Sequence, residues 1–186
     1  MSISLTKPGE GTVGWASQVN DNFTALETRL NTFPVGYWVE EKENSYDAGT
    51  FTNGAWRTRA INQALNAPTW GSLDVDSNTI TLSEDGDYLV EASAPAYNVN
   101  THQVRLIVGG SDVSYGTSER AGGAGNVTTR SFLRAKVTRS GSNVAITLEH
   151  RCETTVATYG LGYATPGGWA PNQMEHYAEI KITKLT

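Results

Sequence analysis

The feature that most restricts this chain is a change of hydrophobic period at Pro34. Beyond it, apolar residues alternate with polar ones in run after run. Tyr37 and Val39 begin the first, and Ile80 and Leu82 alternate with threonines. Tyr88, Val90, Ala92 and Ala94 follow, then Val104, Leu106 and Val108 against Gln103 and Arg105. Leu133, Ala135 and Val137 alternate with Arg134 and Lys136; Val144, Ile146 and Leu148 with Thr147 and Glu149; Ala178, Ile180 and Ile182 close the series. Successive side chains of a strand point to opposite faces, so this pattern places one face on a core and the other toward water, as antiparallel sheets do. Turn formers separate the runs: Asn53-Gly54, Glu84-Asp85-Gly86, Gly109-Gly110, Ser140-Gly141-Ser142-Asn143 and Pro166-Gly167-Gly168. Residues 82–88 and 137–144 read as tight hairpins. Seven or more short strands in about 150 residues predict an all-β fold over residues 35–186, an antiparallel sandwich or jelly roll.

Before Pro34 the pattern is helical. Val19, Phe23, Leu26, Leu30 and Phe33 follow the spacing of a coiled-coil seam, with Trp15 one turn earlier on the same side. Pro8 and Gly9 keep the preceding segment extended, and Pro34 and Gly36 end the helix. Two heptads are too short to be stable alone, because helix nucleation is costly. The stripe therefore needs a surface to bury it: the β domain, other copies, or a host structure. Residues 1–34 are expected to be an extended and helical attachment arm, separate from the sandwich.

Composition narrows the function. The 186 residues carry a formal net charge of -5 and no dense Lys/Arg run, which argues against nucleic-acid binding. The single cysteine, Cys152, allows no disulfide within the chain. No apolar stretch has the length of a membrane span or signal peptide, so synthesis in the cytoplasm and no membrane insertion are expected. Hydrolase, zinc-protease and phosphate-loop signatures are missing, and an enzyme is not expected. His102, His150 and His176 lack metal-ligand spacing, and His150 and Cys152 share one parity, which suits a buried, hydrogen-bonded histidine beside a buried thiol. Asp74-Val-Asp76-Ser-Asn78 has partial calcium-loop spacing but Thr79 where glycine belongs, so it reads as a turn before the next strand. Neither a metal nor a cofactor is expected. Glu40, Glu41 and Glu43 read as a charged strand end. Arg134, Lys136 and Arg139 lie near one another on a strand face and read as a solvated sheet surface that could pair with neighbouring acids. Tyr159, Tyr163 and Trp169 stand in a Gly/Pro-rich loop, where exposed aromatics contact a ligand or else pack back on the sandwich.

Two resemblances follow. Leu5-Thr-Lys-Pro8, Gly11, Trp15, Val19-Asn20, Asn22-Phe23 and Leu26-Glu27 resemble a motif near the N-terminus of bacteriophage fibre and virion-attached proteins, with Ala16 where most carry glycine. Residues 37–185 resemble the C1q and tumour-necrosis-factor jelly roll. The cues are Ile80-Thr-Leu82 leading into Asp85-Gly86-Asp-Tyr88-Leu-Val90, then His102 to Leu106, Leu148-Glu-His150 and Tyr177 to Ile182. Together they imply a homotrimeric phage tail-fibre or capsid-decoration protein located on the virion. Its arm (Trp15, Val19, Asn20, Asn22, Phe23, Leu26, Leu30) would dock on a tail or capsid protein, and its jelly roll would face outward toward a host glycan or protein. Alternatives are a capsid-reinforcing cement protein without receptor role, a freestanding C1q-like sugar- or protein-binding module, and an enzyme acting on a surface polysaccharide.

Overall fold

The computed structural model describes residues 17, 19–24, 35–122, 126–164 and 174–185. Strands take most of them: β1 (Val35–Glu43), β2 (Arg57–Thr58), β3 (Gln63–Asn66), β4 (Gly71–Asp74), β5 (Thr79–Leu82), β6 (Gly86–Tyr97), β7 (Asn100–Val108), β8 (Asp112–Ala121), β9 (Thr128–Arg139), β10 (Val144–Cys152) and β11 (Met174–Lys184). A five-stranded sheet runs β3-β1-β11-β6-β9 and a six-stranded sheet runs β4-β5-β10-β7-β8, with β2 beside β10. All pairings are antiparallel. This is the expected jelly-roll sandwich.

The alternating residues face inward as predicted. Val90, Ala92 and Ala94 of β6, Leu133 and Val137 of β9, and Ala178, Ile180 and Ile182 of β11 meet Ile80, Leu82, Val104, Leu106, Ile146 and Leu148 of the opposite sheet. The run that Tyr37 and Val39 begin is β1, but its residue in the main core is Trp38. The Trp38 ring lies over two glycines: a Cβ at Gly36 would come within 2.1 Å of it and one at Gly71 within 2.9 Å. Trp38 meets Trp70 edge-on at 6.3 Å, and Trp70 packs on Tyr88 at 5.2 Å. This aromatic wedge joins the two sheets, with Tyr88 donating its hydroxyl to the Glu84 carbonyl.

Two predicted hairpins are corrected. Residues 82–88 lead from β5 in one sheet to β6 in the other, and 137–144 lead from β9 to β10 across the same gap. The turn residues do reverse the chain, but each partner strand lies elsewhere. The two crossovers are instead tied to each other. Arg139 pairs with Asp85 at 2.6 Å and donates to the carbonyls of Gly141 and Ser142, while Gly141 N–H donates to Asp85. The local hairpins are β4–β5, turning through residues 75–78, and β7–β8, turning through Gly109 and Gly110 with positive φ. The Asp74 carboxylate accepts from the backbone of Asp76 and Ser77 and from the Ser77 hydroxyl, the turn-capping role expected of it.

The glycine contacts give a test. Gly36→Val should overfill the space under Trp38 and lower unfolding free energy by about 1–3 kcal/mol, the usual range for overpacking. Urea denaturation checks it, with Gly36→Ala as the smaller step, expected to cost less than Gly36→Val.

Candidate functional site

One end of the sandwich interior is polar. A bulge in the β1–β11 register lies between Val39 and Glu41, and Glu40, only 1 % exposed, turns inward to meet Arg59. The guanidinium lies 2.6 Å from the carboxylate, and Arg59 also donates to the Leu161 carbonyl at 3.2 Å. The charged strand end expected at Glu40 to Glu43 is thus half wrong: Glu41 and Glu43 stay at the surface side, whereas Glu40 forms a buried ion pair. The parity that puts Trp38 in the core also puts Glu40 there, and this is the signal that the sequence carried.

Beside that pair, β7 and β10 bring His102 and His150 together. His102 Nδ1 lies 2.9 Å from His150 Nε2, and His102 Nε2 lies 2.8 Å from the Thr129 hydroxyl. The His150 ring packs 4.5 Å from Phe51. Its Nδ1 has no hydrogen-bond partner among the described residues. Burial lowers the His102 pKa to about 4, with Glu119 opposing and Arg59 assisting the shift. Burial, Arg59 and His102 together hold His150 well below its ordinary value. Cys152, also inward, has its thiol pushed up to about 11 by burial. The buried histidine beside a buried thiol is as expected. The second histidine was not foreseen, although His102 shares the inward parity of Val104 and Leu106.

The outer face of the five-stranded sheet carries a cleft of about 520 Å³, lined by Val35, Tyr37, Glu91, Phe132, Glu179 and Lys181. The Glu179 carboxylate accepts from the hydroxyls of Tyr37 and Ser93 at 2.6 and 2.7 Å. Burial opposes its charge, but those hydroxyls and Arg130 outweigh it and hold Glu179 below the usual carboxylate range. Tyr37 is raised to about 12 by burial and by Glu179. Phe132, on the edge strand β9 of this sheet, remains 47 % exposed. The predicted strand-face cations Arg134 and Lys136 pair here with Glu91 and Asp87.

At the end of the same face lies an aromatic trio. Tyr163 stacks on Tyr97 at 5.0 Å, and Tyr159 meets both edge-on. Gly162 lets the segment lie against Tyr177, since a Cβ there would come within 2.3 Å of that ring. Tyr159 and Tyr163 are therefore brought together and backed by Tyr97. Tyr163 keeps 54 % exposure on the rim of a second cleft of about 410 Å³. Trp169 lies outside the described residues, as do Trp15, Leu26 and Leu30 of the arm. Of the arm, residues 19–24 are helical; Asn20 and Phe23 are exposed, Phe23 at 61 %, and Val19 and Asn22 are half-buried. Among the described residues no helix is long and apolar enough to cross a membrane.

Comparison with known proteins shows what the fold is similar to. No family model and no curated protein matches the chain. Among solved structures, murine APRIL at pH 5.0 superposes with a TM-score of 0.51 at 11 % identity, covering 81 % of this chain and 98 % of that one. Eiger TNF from S. frugiperda gives a TM-score of 0.45 at 10 % identity, covering 82 % and 92 %. The likeness to APRIL, together with the strand order, shows a jelly roll of the TNF-like type. At this identity it shows the fold alone.

The buried histidines set a pH dependence. Unfolded histidines titrate near pH 6.5, whereas the folded pair resists protonation far below that. As pH falls through about 6.5 the unfolded chain takes up protons that the native state refuses, so stability falls with pH. The low-held carboxylates Asp74, Glu84, Asp87 and Glu179 lose their contribution only below about pH 4, the unfolded carboxylate range. Urea midpoints should therefore drop between about pH 6.5 and 4.5. The slope in that window should flatten in a His102→Gln, His150→Gln variant.

Proposed function

We propose that the protein is a non-enzymatic, homotrimeric attachment module of a virus particle, a phage fibre or decoration protein. Its sandwiches associate through the outer face of the five-stranded sheet, and its N-terminal arm docks on the virion. The observation that carries the association is Phe132, which leaves nearly half its surface bare beside the Tyr37–Glu179 cleft, where Glu91, Lys181, Arg134, Lys136 and Asp87 are paired. A bare aromatic beside a cleft lined by tyrosine is the composition of an interface core. A second copy of the same surface supplies a ring of matching size, and the TNF-like fold supports a closed ring of copies. The arm supports docking: Phe23, on the apolar stripe, is the more exposed of its two described apolar residues. The virion setting rests on the Leu5 to Glu27 motif. Tyr159, Tyr163 and Trp169 remain candidates for contact with a host surface.

Light scattering at micromolar concentration should give three times the mass of one chain, and Phe132→Glu should give the monomer with an unchanged far-UV spectrum. A wild-type monomer would sink the association. Deletion of residues 1–33 should leave a folded sandwich, because the described core draws on strands from β1 onward. That truncated protein should no longer copurify with particles, and normal incorporation would mean that the sandwich itself is the anchor.

A further inference from the structure

The outer face of the six-stranded sheet differs from its counterpart in charge pairing. On the described sandwich, Arg59, Arg105, Arg130, Arg134, Lys136, Arg139, Lys181 and Lys184 each pair with a carboxylate. Lys42, Arg57, Arg120 and Arg151 are in no ion pair among the described residues, and the three arginines belong to one neighbourhood. Arg151 of β10 stands opposite Gln103 of β7, which stands opposite Ser118 of β8; one row further, Thr101 stands opposite Arg120. Arg57 pairs in register with His150 and follows Trp56 in the chain.

These residues surround a cleft of about 350 Å³ walled by Trp56, Thr101, Gln103, Ser118, Arg151 and Glu153. The volume lies in the range of small-ligand sites, roughly 300–1,000 Å³. The Trp56 wall is held firmly. Arg105 packs over the indole at 4.4 Å and is itself fixed by Glu149 at 2.5 Å. Tyr115 meets Trp56 at 5.8 Å and extends the aromatic surface, 59 % exposed. Gln103 is oriented by the Gly116 carbonyl at 2.8 Å, and the 53–54 segment is tied to Thr155 and Cys152.

We propose that this cleft binds an anionic saccharide. A sugar ring offers an apolar C–H face that suits the electron-rich face of an aromatic ring. Its hydroxyls suit amide and hydroxyl side chains such as Gln103, Ser118 and Thr101. A carboxylate, sulfate or phosphate on the sugar suits the planar, bidentate guanidinium of Arg151, with Arg120 and Arg57 supplying further positive potential. An acidic peptide fits the shape of this setting less well. Peptides that add to a sheet use a free strand edge, whereas this cleft opens on a sheet face. The nearby edge strand β8 is already engaged by β9, through Ser131 donating to the Thr117 carbonyl and Thr117 accepting from Phe132 N–H. The proposal rests on the reading of the chain as an attachment module and assigns that module a ligand class.

The full-length protein is applied to a printed array of carboxylate-, sulfate- and phosphate-bearing and neutral oligosaccharides, with hexaglutamate as the peptide control. The best acidic sugar is then titrated calorimetrically. Binding to acidic sugars over neutral ones is expected. Loss of one charge-assisted contact in Arg151→Gln should weaken it about tenfold or more, and Tyr115→Ala should weaken it severalfold. Both positions are exposed, so the fold should survive, and raised salt should weaken the wild type. Equal binding of neutral sugars, no acidic sugar bound, hexaglutamate bound in preference, or full affinity in an Arg120→Gln, Arg151→Gln variant would each overturn the site. Light scattering on the same sample separates the two readings. A trimer that binds no acidic sugar loses the saccharide site alone, and a monomer that binds one loses the trimeric reading alone.

Discussion

The contact on which the rest of this sandwich depends is the Trp38 indole lying over Gly36 and Gly71. It places the largest fully buried side chain of β1 directly against β4 of the opposite sheet. Burying an aromatic of this size contributes about 1.5–3 kcal/mol or more from transfer alone, and the contact also sets the spacing of the layers. Trp70 and Tyr88 continue the wedge, so the sheets are joined at this end by close-packed rings. The Trp38 indole N–H finds no partner among the described residues, which marks the site as selected by shape more than by polar bonding.

The opposite end of the interior solves the same problem differently. Glu40, Arg59, His102 and His150 occupy space that apolar residues could fill, and burying an ion pair is weak evidence for stability because desolvation offsets the Coulomb attraction. Such a network demands one geometry, since each partner is costly if left unmatched. Around it pack Phe51, Val99, Ala121 and Cys152 in a second small core. Phe51 bridges to Val156, and Arg59 reaches the Leu161 carbonyl. The polar end thus anchors the long loops, where the aromatic end anchors the strands. Acid weakens the former first.

How far the sequence discloses this follows from what each signal reports. Period-two alternation reports the face of a strand, and it placed the residues of β6, β7, β9, β10 and β11 on their correct sides. It does not report the partner. Asp85-Gly86 and Ser140-Gly141 mark reversals truly, yet both carry the chain between sheets, because turn chemistry is satisfied locally while pairing is decided by the whole core. Strands with little apolar alternation escaped notice: β8 carries Gly116, Thr117, Ser118, Glu119 and Arg120. It is held by its ladder to β7 and by bonds from Ser131 and Phe132 of β9. Of the site residues, Tyr159 and Tyr163 were visible as loop aromatics, but their backing by Tyr97 was not, since residues 97 and 163 are joined only by the fold.

The two outer faces can be compared by how each manages charge. On the five-stranded sheet, Glu91 is shared by Arg134 and Lys181, Asp87 takes Lys136, and the charge of Glu179 is stabilised by two hydroxyls and Arg130. A surface whose charges are satisfied internally loses little when water is removed from it, so it suits association around Phe132. On the six-stranded sheet, Arg105 is committed to Glu149 while Arg120 and Arg151 are left unpaired among the described residues. In a chain of net charge -5, these cations stand beside an aromatic wall, with Glu153 the acidic side chain lining the same cleft. The same fold therefore presents one face with its central charges paired and one with arginines left unpaired among the described residues. If the first turns toward a symmetry axis, the second is left facing the medium.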